Sequence, residues 1–283
     1  MKKVAVVTDS TAYIPQELVQ KYDLRIAPQV LVWGDQTYED GVDIQPGEFY
    51  TRLAGNKVMP STSQASPQSF HEIFCEMLDK GYEILAILLS EKLSGTIASA
   101  VQAREMIGTA PIEIFDSQTT AMAMGFQVLD VARAAEAGAS LQECLALAEK
   151  NRDHTGVVFA VDTLEFLHRG GRIGGASRFL GTALSLKPIL GISGGQVVAI
   201  DKVRTRKKSL TYLLDLLQNR IGDQKPVRIA SLHANAEEDA RYLLDEAIKL
   251  FDPVEVIFSE VSPVVGTHAG PGTVGLAYMA GMS

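Results

Sequence analysis

The chain has 283 residues, of which 46% are hydrophobic and 21% charged, a composition typical of a globular protein with a sizeable core. A formal net charge of −8 argues against a general affinity for nucleic acid, which needs clustered Lys and Arg. The one basic cluster, Lys202 to Lys208, fits a solvated surface better than a nucleic-acid site, although an anion contact or a docking patch for an acidic partner stays open.

The first half of the chain alternates short apolar runs with helical patterns. We predict strands at residues 3–7, 84–89 and 112–115 and helices at 15–22, 96–107 and 119–137. Strands that alternate with helices indicate βαβ units and a mostly parallel sheet. The intervening stretch 27–67 is less regular, and a helix is predicted at 68–80.

The second half has a different pattern, with predicted strands at 157–161, 227–232 and 254–258 and helices at 207–221 and 237–251. The runs 186–192 and 196–203 predict a hairpin. A final glycine-rich segment, 266–281, is predicted to become helical. We therefore expect an α/β fold of two α/β domains: residues 1–154 with a mostly parallel sheet and flanking helices, and a smaller mixed-sheet domain at 155–283.

Two widely spaced cysteines, Cys75 and Cys144, indicate neither a disulfide scaffold nor a zinc site and fit a reducing compartment. The apolar run at the N-terminus is too short for a signal peptide, and no run is long enough to span a membrane. We therefore expect a cytoplasmic protein. No metal-ligand spacing occurs, so neither a metal nor a cofactor is predicted.

Hydroxyl-rich loops follow the predicted strands of the first half, where ligands bind in parallel sheets. Helix capping explains any single one of them. Ser94-Gly95-Thr96 is the best candidate site, because glycine allows close backbone approach and the following helix offers free N–H groups and its positive dipole end to an anion.

The glycines Gly270, Gly272 and Gly275 match the GxGxxG pattern, with a strand predicted before and a helix after. A dinucleotide site is rejected because the required acidic residue about 20 positions later does not follow. We retain an anion cradle here, with His268 as a donor to the anion. The GxSxG match around Ser193 is also rejected, because a strand and not a helix is predicted after it.

Six segments, in order, resemble the DegV family, which includes the fatty-acid-binding FakB proteins: Thr8 to Ala12, Pro60 to Pro67, Ser94 to Thr96, Leu164 to Ile173, Leu186 to Leu190 and His268 to Gly272. The resemblance implies two α/β domains with a long-chain fatty acid in a tunnel between them and no catalysis by the protein alone. A separate fatty acid kinase would convert the bound carboxylate to an acyl phosphate for phospholipid synthesis.

By the family pattern, the carboxylate contacts Thr62, Ser94 and His268. The neighbouring candidates are Ser63, Gly95, Thr96, Gly270 and Arg204, and Arg172 is a candidate for kinase docking. Ala65 departs from the pattern, since a proline is usual there. A peripheral membrane contact for lipid exchange is compatible with such a carrier.

Two other functions stay open from the residues alone. One is a Ser/His acyl hydrolase or transferase, with Ser94 as nucleophile, His268 as base and Asp9 as the orienting carboxylate. The other is a regulatory module that binds a nucleotide or phosphate.

Overall fold

The computed structural model describes residues 3–56, 58–181 and 186–282. In chain order, its strands are β1 (Val4–Asp9), β2 (Arg25–Ala27), β3 (Val30–Trp33), β4 (Gln36–Glu39), β5 (Ser61–Ser63), β6 (Glu83–Leu88), β7 (Ile112–Asp116), β8 (Thr155–Ala160), β9 (Lys187–Ser193), β10 (Gln196–Val203), β11 (Val227–His233), β12 (Glu255–Glu260) and β13 (Val274–Ala280).

The α-helices, again in chain order, are α1 (Gln16–Lys21), α2 (Pro46–Gly55), α3 (Pro67–Asp79), α4 (Thr96–Ile107), α5 (Ala121–Glu136), α6 (Leu141–His154), α7 (Glu165–Arg169), α8 (Arg206–Ile221), α9 (Glu237–Phe251) and α10 (Pro263–Ala269). None of the helices in the described part of the chain is long and apolar enough to cross a membrane.

The first sheet is parallel throughout, in the order β2-β1-β6-β7. Strands β1 and β6 are buried on both faces, which is why they read as continuous apolar runs. Val4 and Val6 of β1 pack in the cluster that contains α5, whereas Ala5 and Val7 pack in the cluster that contains α3 and α4. The predicted parallel sheet with helices on both sides is confirmed.

The stretch 27–67, expected to be irregular, is folded. It contains the antiparallel sheet β4-β3-β5 and helix α2. The strands are only three or four residues long, and α2 lacks a side-chain cap, so the signals in the sequence are weak. This small sheet matters for the site, because β5 contains Thr62.

The second sheet is mixed and has the order β10-β9-β8-β13-β11-β12. The predicted hairpin is confirmed, since β9 and β10 pair antiparallel, while β11 and β12 pair in parallel. The prediction for the C-terminal segment is wrong: helix α10 ends before Gly270 and Gly272, and strand β13 follows these two glycines. β13 lies between β8 and β11 and is almost wholly buried, and the periodicity of a fully buried strand cannot be distinguished from that of a helix.

The two sheets share one hydrophobic cluster, centred on α5. Met122 and Leu129 of this helix belong to a cluster that includes Val6 of β1 and Ala277 of β13. Every strand of the mixed sheet begins at or after residue 155. The division into domains at 154/155 remains a proposal.

An ion-pair network also joins α5 to the mixed sheet. Arg228 on β11 lies 3.1 Å from Asp130 on α5 and 3.4 Å from Glu255 on β12. Arg133 on α5 contacts the other oxygen of Glu255 at 2.5 Å. The side chains of Arg228, Asp130 and Glu255 are all less than a fifth exposed, so each charge depends on its partners for the solvation that it loses.

We predict that Arg228→Met lowers the free energy of unfolding by about 3–5 kcal/mol, because it leaves Asp130 facing a desolvated environment without its counter-charge. Urea denaturation measures the change. Lys80→Met is the matched control, since it breaks the exposed Lys80–Glu76 pair and should cost less than about 1 kcal/mol. Equal losses in the two variants would contradict the role of the network.

Candidate ligand-binding site

A cavity lies between the two halves of the chain. The space not filled by atoms, counting its opening to solvent, is about 940 Å³. Most of its wall is apolar, with side chains from both halves: Leu89, Leu93, Ala121, Val157, Phe159, Leu167, Ile192, Val197, Leu232, Val261, Val264, Val265 and Ala269.

A hydrogen bond joins the two halves at this cavity. Thr62 Oγ1 on β5 lies 2.7 Å from Nε2 of His268, in the last turn of α10. Both residues line the cavity, as does Ser63. Helix α10 begins with Pro263 and is capped by Ser262, whose hydroxyl accepts from the N–H of Val265. The cap sets the start of α10, and the length of the helix places His268 opposite β5.

Burial keeps the imidazole of His268 neutral at pH 7. Burial, with a smaller contribution from the positive charge of Arg172, lowers the pKa of His268 from 6.5 to about 4. Its Nδ1 is buried and has no hydrogen-bond partner among the described residues. In the tautomer with the proton on Nε2, the imidazole donates to Thr62 Oγ1, and the hydroxyl proton of Thr62 is free to point at a ligand.

A second polar group enters the cavity from the end of β6. Ser94 lines the cavity, and its hydroxyl lies 2.9 Å from that of Thr96, the first residue of α4. Thr96 is fully buried and contacts the side-chain amide of Gln29, whose Nε2 donates to Thr96 Oγ1 at 2.9 Å. Gln29 is itself a lining residue.

Arg172 also lines the cavity, where it provides a positive charge. Its Nε donates to the carbonyl of Leu93 at 2.9 Å and its Nη1 to that of Gly170 at 2.7 Å. These two backbone acceptors hold the guanidinium between the halves of the chain. The sequence resemblance implies that this residue docks a partner kinase, which stays a prediction; in the structure Arg172 lines the cavity.

Two glycines allow α7 and α10 to approach each other. A Cβ on Gly170 would lie 2.1 Å from His268 Nδ1, so the close packing of the imidazole depends on its absence. A Cβ on Gly270 would lie 2.3 Å from the ring of Phe166, and Gly270 also has a φ of +80°. Gly270 therefore ends α10 and is not itself a lining residue.

The structure thus brings Thr62, Ser63, Ser94, Arg172 and His268 to one cavity. Among the other candidates, Thr96 lies behind Ser94, Gly95 is the N-cap of α4 under the Gln64 side chain, and Gly270 is at the end of α10. Arg204 is exposed and lies outside the lining of the cavity.

The prediction of a helix after Gly270, Gly272 and Gly275 is wrong, because Gly270 and Gly272 follow the C-terminus of α10 and Gly275 lies in strand β13. These glycines therefore do not precede a helix N-terminus, on which the predicted anion cradle depended. Sequence reasoning missed Gln29 and the packing role of Gly170. The pair Gly170-Gly171 was visible as a motif, but its partner His268 is 98 residues away, and nothing in the local sequence indicates the contact.

The residues of a Ser/His enzyme do not form a triad here. Within the described residues, Ser94 bonds to Thr96 and His268 bonds to Thr62, with no hydrogen bond between Ser94 and His268. Asp9 bonds to Thr11 and to the N–H of Leu89. The described part of the chain also has no group of three His, Cys, Asp or Glu side chains placed to hold a metal ion.

The comparisons with known proteins agree with this geometry. The model of the DegV family matches residues 3–281. The chain belongs to the DegV family. Protein DegV of Bacillus subtilis is 34% identical, covering 97% of this chain and 98% of that protein, and a DegV domain-containing protein of Caldanaerobacter subterraneus is 36% identical, with 98% and 99% covered.

Two solved DegV structures that share the fold are described as fatty-acid-binding proteins. A fatty-acid-binding DegV family protein of Thermus thermophilus superposes with a TM-score of 0.93 at 34% identity, covering 98% of this chain and 99% of its own. DegV of Bacillus subtilis, described as a fatty acid binding protein, has a TM-score of 0.90 at 33% identity, with 99% and 100% covered.

We predict that Gly170→Ala displaces His268 and raises its pKa from about 4 toward 6.5, because the new methyl group occupies the place of the imidazole and moves it toward solvent. The backbone at Gly170 has a φ of −76°, which alanine adopts without strain, so the protein should stay folded. An NMR titration of the histidines measures the pKa. Gly47→Ala, where a Cβ meets no atom within 4 Å, is the control.

A further prediction concerns acid stability. The pKa of His268 is lower in the folded protein than in the unfolded chain, so between these values the unfolded state binds the extra proton. From pH 7 to pH 5 the contribution of His268 to the free energy of unfolding should fall by about 2 kcal/mol, so His268→Asn should lose about 2 kcal/mol less over this range than the unmodified protein. Urea denaturation at both pH values tests this. His168→Asn, at an exposed position, should leave the loss unchanged.

Proposed function

We propose that the protein binds a long-chain fatty acid in the cavity between its two halves. The supporting observation is the composition of the wall, in which many apolar side chains surround a few hydroxyl groups, a neutral imidazole and one guanidinium. An acyl chain gains free energy when apolar walls remove it from water. The relatives of known structure that are described as fatty-acid-binding support the same ligand class.

The polar side chains of the cavity offset the main free-energy cost of such binding, which is the removal of a carboxylate from water. A buried carboxylate needs several hydrogen-bond donors or a counter-charge. Thr62 and Ser94 offer hydroxyl protons and Arg172 offers the free part of its guanidinium, while His268 donates its N–H to Thr62 Oγ1 and so leaves the hydroxyl proton of Thr62 for the ligand. In this proposal the carboxylate binds among these four residues.

We further propose that the protein acts as a carrier without catalysis of its own and presents the carboxylate to a separate fatty acid kinase, which forms an acyl phosphate for phospholipid synthesis. This part rests on the sequence resemblance to FakB proteins. The exposed cationic residues Arg204, Lys207 and Lys208 provide a surface for such a partner or for a peripheral membrane contact during lipid exchange. A cytoplasmic location belongs to the same proposal.

The first experiment is organic extraction of the purified protein, followed by mass spectrometry. One fatty acid per chain supports the proposal and identifies the ligand. If the protein is empty and hexadecanoic acid does not raise its melting temperature, the proposal fails.

We predict that Thr62→Val weakens binding of hexadecanoic acid by roughly ten- to a hundredfold, because the variant keeps the shape of the wall but removes a hydrogen bond to a charged group. Equilibrium dialysis measures the dissociation constant. Thr51→Val is the matched control, since Thr51 is exposed on α2 and bonds only to the carbonyl of Gly47. Equal affinities of the two variants would place the carboxylate elsewhere.

A further inference from the structure

The backbone N–H and C=O of Gln29 and both ends of its side-chain amide form hydrogen bonds. It lies between β2 and β3 and is 1% exposed. Its backbone N–H donates to Ser10 Oγ at 3.0 Å, and its carbonyl accepts from the N–H of Asp40 at 2.9 Å. The side chain extends to the cavity wall from this fixed backbone.

The orientation of the Gln29 amide follows from a backbone contact. Its Oε1 accepts from the N–H of Ala65 at 3.2 Å, which distinguishes the oxygen of the amide from the nitrogen. A proline at position 65 would lack this N–H. The Nε2 must therefore be the atom that faces Thr96, and it donates to Thr96 Oγ1 at 2.9 Å.

The donor-to-acceptor direction of the Gln29–Thr96 hydrogen bond also affects the hydrogen bond between Thr96 and Ser94. The Thr96 oxygen accepts from Gln29, and its own proton has two acceptors within reach, Ser94 Oγ at 2.9 Å and Gln29 Oε1 at 3.2 Å. When Thr96 donates to Ser94, the Ser94 oxygen is satisfied and its proton is free to point into the cavity. A ligand that only accepts hydrogen bonds selects this arrangement.

We propose that Gln29 is a positioning residue that acts through Thr96 to make Ser94 a hydrogen-bond donor toward the cavity, so that the site prefers a carboxylate head group over a head group that donates, such as an alcohol. The inference rests on the proposed binding of fatty acids and assigns the source of the selectivity.

The isosteric variant Gln29→Glu reverses the chain of hydrogen bonds. A carboxylate at position 29 only accepts, so it draws the proton of Thr96. The Thr96 oxygen then accepts from Ser94, and donation by Ser94 to a ligand leaves Thr96 without that bond. The added negative charge also opposes a second carboxylate in the same cavity.

The experiment compares hexadecanoic acid with hexadecan-1-ol, which have the same chain and different head groups, by equilibrium dialysis with radiolabelled ligands. For Gln29→Glu we expect the preference for the acid over the alcohol to fall by roughly ten- to a hundredfold. Gln20→Glu adds the same charge at an exposed position on α1 and should leave the preference unchanged.

A second pair of variants tests the chain of hydrogen bonds without adding a charge. Thr96→Val removes the relay and should lower the same preference, whereas Thr96→Ser keeps the hydroxyl and should retain it. If Gln29→Glu does not fold, the comparison of Thr96→Val with Thr96→Ser tests the relay through Thr96 by itself. An unchanged preference in folded Gln29→Glu, or equal behaviour of Thr96→Val and Thr96→Ser, overturns the role of Gln29. Absence of binding to either ligand by the unmodified protein overturns the proposed function itself.

Discussion

The hydrogen bond between Thr62 and His268 joins the two halves of the chain at the cavity, and much of the surrounding architecture places these two side chains 2.7 Å apart. Thr62 depends on β5, which exists only because it pairs with β3 in the small antiparallel sheet. His268 depends on α10, whose start is set by Ser262 and Pro263 and whose close approach to α7 requires a glycine at position 170. The contact also keeps the imidazole out of water, which is the main reason for its lowered pKa.

A mainly apolar cavity with few charges suits a ligand that is mostly hydrocarbon and has one anionic end. Apolar walls favour the chain but penalise any polar group that lacks a partner. The wall contains hydroxyl groups, which adapt their protons to the ligand, and one guanidinium already held by the carbonyls of Leu93 and Gly170. Gln29 connects this polar region to the rest of the fold, because its backbone reaches Ser10 and Asp40 while its side chain reaches Thr96. Asp40 in turn accepts from the N–H of Val264 on α10.

The accuracy of the sequence-based predictions varied with the strength of the local signals. Helix α4 and the strands β1, β6 and β7 were predicted within two residues, because β1 and β6 contain continuous apolar runs, β7 is rich in isoleucine and phenylalanine, and α4 follows a clear Ser-Gly-Thr start. Helix α2 and the small sheet were missed because their elements are short and lack strong caps. Strand β13 was predicted as a helix because it is buried on both sides within the mixed sheet, which removes the alternation that distinguishes a half-buried strand.

The sequence by itself determined the fold class, the family and some of the residues that line the cavity, among them Thr62, Ser63, Ser94 and His268, because ordered motifs and apolar runs are local properties of the chain. Only the tertiary structure decided how these residues are used. Position 170 needs a glycine because His268, 98 residues later, packs against it, and Arg172 lines the cavity because carbonyls of residues 93 and 170 hold it there. Gln29 orients Ser94 through Thr96, although both residues lie more than 60 positions after Gln29 in the chain. Such contacts depend on which segments meet when the two sheets pack around α5, and no local pattern contains that information.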